Sequence, residues 1–80
     1  FNPTTTIRFS LPVATTINLK IYNVQGQMVR HLVEQTVATG QYAVHWDGRD
    51  DSGRSLASGT YVYQLEAAEI RLQRKVTFLK

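Results

Sequence analysis

His45-Trp-Asp-Gly-Arg-Asp-Asp-Ser-Gly53, followed by Ala57-Ser-Gly-Thr-Tyr-Val-Tyr-Gln-Leu65, decides the reading of this chain. The first stretch ends a strand and turns. Asp-Gly and Ser-Gly are turn dipeptides, and Asp47, Asp50 and Asp51 can bond backbone N–H groups two residues on. The second stretch opens the next strand. Tyr61, Tyr63 and Leu65 recur at every second position, on one face of that strand. Together with Trp46 they are predicted to form the centre of the core.

Strands extend outward from that centre in both directions. Ile7, Phe9 and Leu11 share a face over Thr4–Leu11, and Pro12 stops the run because it cannot donate to a ladder. Ile17, Leu19 and Ile21 alternate inward over Thr16–Asn23, and Asn23–Gly26 supplies a turn. Gln27–Glu34 fits a helix through Val29 and Leu32, and a strand through Val29, His31 and Val33. Its short length and β-branched residues favour a strand, with a bulge between Val29 and Leu32 to reconcile the parity. Gln35–Gly40 reads as a connection that pairs briefly at Val37. Tyr42, Val44 and Trp46 point inward over Gln41–Trp46. Leu56 dips toward the core. Tyr61, Tyr63, Leu65 and Ala67 line the next strand, and Ala68-Glu69 forms a turn without glycine. The last strand, Ile70–Leu79, carries Leu72, Val76 and Phe78 on one face. Arg74 shares that parity, which requires either an uncovered rim or a register shift.

The sum is an all-β chain, a small antiparallel immunoglobulin-like β-sandwich of six to seven strands. The 80 residues form one domain, with residues 1–3 as a linker remnant. A chain this short buries only a little over ~60% of its unfolded surface. It has no cysteine, so its stability rests on apolar burial. The start lacks a charged and apolar leader, and no apolar run reaches the ~18 residues of a spanning helix. The abrupt Phe-Asn-Pro opening suggests a piece of a longer polypeptide.

The chemistry-bearing residues point away from catalysis. The formal charge is +3, from nine Lys/Arg and six Asp/Glu, too dispersed for a nucleic-acid stripe. Asp47, Asp50 and Asp51 offer oxygen ligands for a hard cation. However, Arg49 falls where an EF-hand loop needs its second ligand, and Ser52 where it needs glycine. Turn capping is the simpler role for them. His31 and His45 have no nucleophile context, and no carboxylate pair or phosphate loop is legible. The sequence therefore predicts no catalytic, metal or cofactor residues. Of the aromatics, only Tyr22 has outward parity, which leaves room for a sugar-binding surface on a carbohydrate-binding accessory sandwich.

A family resemblance carries the reading further. Phe1–Pro12, Leu19–Arg30 with its Asn-x-x-Gly turn, Trp46–Gly53, Ala57–Tyr61 and the terminal Arg74–Lys80 resemble the C-terminal sorting domains (type A) of type IX secretion. The Trp-Asp-Gly…Gly…Ser-Gly-x-Tyr pattern is also similar to the immunoglobulin-like domain of flagellar hook-capping proteins. These are turn and core residues, so they specify the fold more closely than the role. The sorting resemblance implies a non-catalytic address on a larger secreted or cell-surface protein that passes through the periplasm and outer membrane. Its implied partners are the type IX translocon, a sortase-like peptidase and an N-terminal cargo domain in the same chain. Carried over by position, Gly59, Tyr61, Lys75, Val76 and Lys80 are the implied export-recognition residues. The alternative is a structural spacer or carbohydrate-binding module of an extracellular enzyme.

Overall fold

A computed structural model describes residues 4–68 and 70–79. Six strands run in order: β1 (Thr5–Leu11), β2 (Thr15–Tyr22), β3 (Met28–Val37), β4 (Gly40–Trp46), β5 (Gly59–Ala67) and β6 (Ile70–Phe78). β1 and β4 make a two-stranded sheet, and β3-β2-β5-β6 make a four-stranded sheet. All pairings are antiparallel. The chain crosses between the sheets at β1–β2, β3–β4 and β4–β5.

Period-two alternation builds the core as the sequence predicts. Ile7, Phe9 and Leu11 of β1 and Ile17, Leu19 and Ile21 of β2 are buried, while their neighbours in sequence are not. Burial at about 25 cal/mol per Å² makes this alternation the main source of stability, since no disulfide exists. Phe9 stacks on its cross-strand partner Tyr42 with centroids 5.5 Å apart.

The ambiguous segment at 27–34 is a strand, and it is longer than expected. β3 continues to Val37, which pairs with Thr15, so the link to β4 shrinks to Ala38 and Thr39. Leu19 faces Val33 while Lys20 faces His31, so Leu32 is an extra residue. A second shift lies between Ile21 and Tyr22, whose partners Arg30 and Met28 skip Val29. Two bulges therefore let Val29, Leu32 and Val33 all pack against the core.

At the β5–β6 end one expectation changes and one pair of alternatives is resolved. Tyr63 is half-buried at the margin of the core, unlike Tyr61 and Leu65. Its partner in register is the exposed Arg74. The β5–β6 ladder runs without a register shift from Ala67↔Ile70 to Gly59↔Phe78, so Arg74 sits on an uncovered rim. The hairpin turn begins at Ala68. Glu69, like the expected entry at residues 1–3, lies outside the described residues.

Ala68 has φ +54°, a left-handed conformation that costs an L-residue about 1–2 kcal/mol. Replacing it with glycine removes that cost, and the added unfolded-state freedom offsets only part of the gain. Ala68→Gly is expected to raise stability by roughly 0.5 kcal/mol in urea unfolding. A lower midpoint than the parent chain would contradict this.

Candidate functional site

Residues 46–56 build a compact loop on the buried indole of Trp46, which has no exposed surface. Its ring meets Tyr61 edge-on at 5.3 Å and Phe78 at 5.5 Å. Its Nε1–H donates to the Arg49 carbonyl at 3.1 Å, so the buried indole leaves no polar atom unpaired. The Arg49 carbonyl also accepts from Arg30 Nη1 at 3.1 Å, which ties the loop to β3. Gly48 has φ +76° and lies directly beneath the Phe78 ring. A Cβ built on Gly48 would fall 2.0 Å from Phe78 Cζ, so only glycine fits this turn.

The three aspartates of the loop are all partnered, and Asp47 and Asp51 share the Arg30 guanidinium. Asp50 Oδ1 accepts from the Ser52 and Arg54 backbone N–H groups and from the Ser52 hydroxyl, all within 3.0 Å. Its Oδ2 accepts from Arg54 Nε at 3.2 Å. The Arg54 backbone N–H and the Ser52 hydroxyl hold its carboxyl below the usual aspartate pKa, because each bonds the charged form. Asp47 accepts from the Arg49 N–H and lies 3.5 Å from Arg30 Nη1. Asp51 accepts from the His31 N–H through Oδ1, and its own N–H donates to the Val29 carbonyl. Asp47 and Asp51 thus fasten the turn to β3 while Asp50 closes the turn on itself, and no metal-holding cluster occurs among the described residues. The loop also occupies the free edge of β3 at residues 29–31.

The histidines sit in cross-strand hydrogen bonds. His45 Nδ1 is 2.9 Å from the Thr6 hydroxyl, and His31 Nε2 is 3.0 Å from Asn18 Oδ1. Tyr61 donates its hydroxyl to the Ala57 carbonyl at 2.6 Å, bracing the entry to β5. Tyr42 donates to the Ala38 carbonyl in the same four-residue geometry.

Four of the five residues singled out for recognition come together at the open end of the β5–β6 hairpin. Tyr61 pairs with Val76, Lys75 pairs with Val62, and Gly59 pairs with Phe78. Their surroundings differ. Tyr61 is buried, Val76 is half-buried on the inner face, and Lys75 is exposed on the outer face. Lys80 lies outside the described residues. Only Lys75 of the four therefore carries an exposed charge.

One neighbour was absent from the recognition residues that the resemblance implies. Arg74 folds its guanidinium onto the Gln73 carbonyl at 3.1 Å. Its misplaced parity was the signal that could have found it. A second omission is the outer-face row Met28, Tyr22, Val62 and Lys75, which follows from three ladders in register.

The FlgD Ig-like domain model matches residues 2–70. The chain belongs to the FlgD Ig-like domain family. The crystal structure of FLGD from P. aeruginosa resembles it with a TM-score of 0.75 at 23% identity. That likeness covers 94% of this chain and 58% of the FLGD chain, so this chain spans little more than half of that neighbour. It bears on fold alone. No curated protein matches in sequence. The family match ends at Ile70, the first residue of β6, whereas the structural likeness covers most of the chain.

The depressed Asp50 pKa has a signed consequence. A carboxylate whose folded pKa lies below its unfolded value adds stability above the unfolded value, near pH 4, and loses it as pH falls through the folded value. Asp50→Asn removes this linkage. Urea midpoints of the parent chain are expected to fall more steeply than those of the variant as pH drops below about 4. Parallel curves would contradict this role for Asp50.

Proposed function

We propose that this chain is a non-catalytic docking and targeting module carried on a larger secreted bacterial protein, recognised through its β6 strand by type IX export machinery. The observation that carries this reading is β6 itself. It forms the outer edge of the four-stranded sheet and holds three exposed cations, Arg71, Arg74 and Lys75. The terminal Arg74–Lys80 stretch is also where the sequence resembles the sorting domains. The loop carboxylates and both histidines are engaged in hydrogen bonds that hold strands and turns, which suits a scaffold better than acid–base chemistry. Among the described residues, no helix is long and apolar enough to cross a membrane.

A second reading, a structural module within an extracellular assembly, is favoured by membership of the FlgD Ig-like family. The two separate in one experiment. An inert reporter with its own periplasmic leader is joined to this chain in a type IX-competent host. The targeting reading predicts reporter in the medium or on the cell surface, and a loss of at least tenfold (about 1.4 kcal/mol of recognition) with Arg71→Glu and Lys75→Glu together. Reporter retained in the periplasm as a folded fusion would overturn targeting and leave the structural reading.

A further inference from the structure

The two edges of the four-stranded sheet are built differently. The β3 edge carries two bulges and is covered at residues 29–31 by Asp51, whose N–H donates to Val29 and whose carboxylate accepts from His31. Bulges and covering loops are two means by which sheets block pairing with another chain. The β6 edge has neither device along Arg71–Lys75. Its ladder to β5 is regular throughout.

The alternation of an antiparallel ladder shows which backbone groups are free. Alternate residues turn their N–H and C=O to opposite sides of a strand. The Thr77 carbonyl accepts from the Thr5 hydroxyl of β1 at 3.4 Å, and the Gln73 carbonyl accepts from the Arg74 guanidinium. Both belong to the odd-numbered set, which therefore faces away from β5. β1 reaches this edge at Thr77, leaving the backbone of Arg71, Gln73 and Lys75 open, with the Gln73 carbonyl capped by a side chain.

Charge narrows the partner. Residues 70–78 contain Arg71, Arg74 and Lys75 and no acidic residue. Arg71 lies 3.3 Å from Glu66, but Arg74 and Lys75 have no acidic partner among the described residues. A shallow depression of about 330 Å³, lined by Val62, Gln73, Arg74 and Lys75, runs beside the strand. Positive charge along an edge opposes pairing with a second β6 and favours a strand of opposite sign.

We propose that Arg71–Lys75 accepts an extended acidic peptide as an additional strand. The visiting strand exchanges main-chain hydrogen bonds with Arg71, Gln73 and Lys75, and its carboxylates pair with Lys75 and with Arg74 once that guanidinium leaves the Gln73 carbonyl. This names the mode of recognition behind the targeting reading and rests on it for its biological setting.

The test uses the whole 80-residue chain. The probe is a blocked peptide of about eight residues repeating Glu-Glu-Val-Val, which places carboxylates on both faces of a strand, with a Lys-Lys-Val-Val peptide as control. NMR should show the amides of Arg71, Gln73 and Lys75 shifting and becoming slow to exchange only with the acidic peptide, and binding should weaken as salt rises. Gln73→Pro removes an outward donor that the β5 ladder does not use, so it should keep the fold and weaken binding about tenfold. Equal binding of both peptides, or no amide response at millimolar acidic peptide, would overturn the proposal. Pairing of the chain with itself through these amides would also overturn it. If the acidic peptide binds and the reporter stays in the periplasm, targeting fails and the strand site stands. If the reporter is exported and the peptide does not bind, the strand site fails alone.

Discussion

The packing of the buried Trp46 indole against Tyr61 and Phe78, with Phe78 in turn lying over the bare backbone of Gly48, is the constraint on which the rest of the structure depends. Trp46 ends the two-stranded sheet, while Tyr61 and Phe78 belong to the four-stranded one. Their rings therefore join the sheets. A domain this small has little core to spare and no disulfide to assist it, so one aromatic cluster carries a large share of the cohesion. The Trp46 Nε1–H bond to Arg49 makes that burial compatible with hydrogen bonding, and it fixes the path of the following loop.

That path has a consequence at the periphery. Once the Arg49 carbonyl is held by both Trp46 and Arg30, the loop lies against β3, and Asp51 meets the backbone of Val29 and His31. One sheet edge is closed by the same turn that seals the core. The opposite edge, β6, contributes Phe78 to the cluster at its end but leaves Arg71, Gln73, Arg74 and Lys75 exposed. The asymmetry between a sealed edge and an open one arises from packing.

Much of this was legible in the chain itself. Strict alternation in Ile7–Leu11 and Ile17–Ile21 gave those strands and their inner faces, because a period of two leaves one solution when one face must be buried. The parity break between Val29 and Leu32 announced a bulge, but a single break could not reveal a second one at Val29. By the same logic Arg74 announced either a rim or a register shift, and the regular β5–β6 ladder makes it a rim. The contact of Gly48 with Phe78 was illegible, because it joins a turn to a strand end through the fold and leaves no local periodicity. So was the seat of Asp51 on β3, since a capping aspartate looks alike whether its donor is two residues away or across the sheet. Gly59, Tyr61, Lys75 and Val76 came from resemblance alone. The ladder then separated them into core and surface.

The sheets close around a position at residue 48 that tolerates no side chain. Gly48→Ala and Gly26→Ala measure it by urea unfolding, since both glycines have a similar positive φ and only Gly48 faces a ring. Each should lose about 1–2 kcal/mol from backbone strain, and Gly48→Ala a further ~1–3 kcal/mol from displacing Phe78. Equal losses for the two variants would show that the Phe78 ring does not close over residue 48.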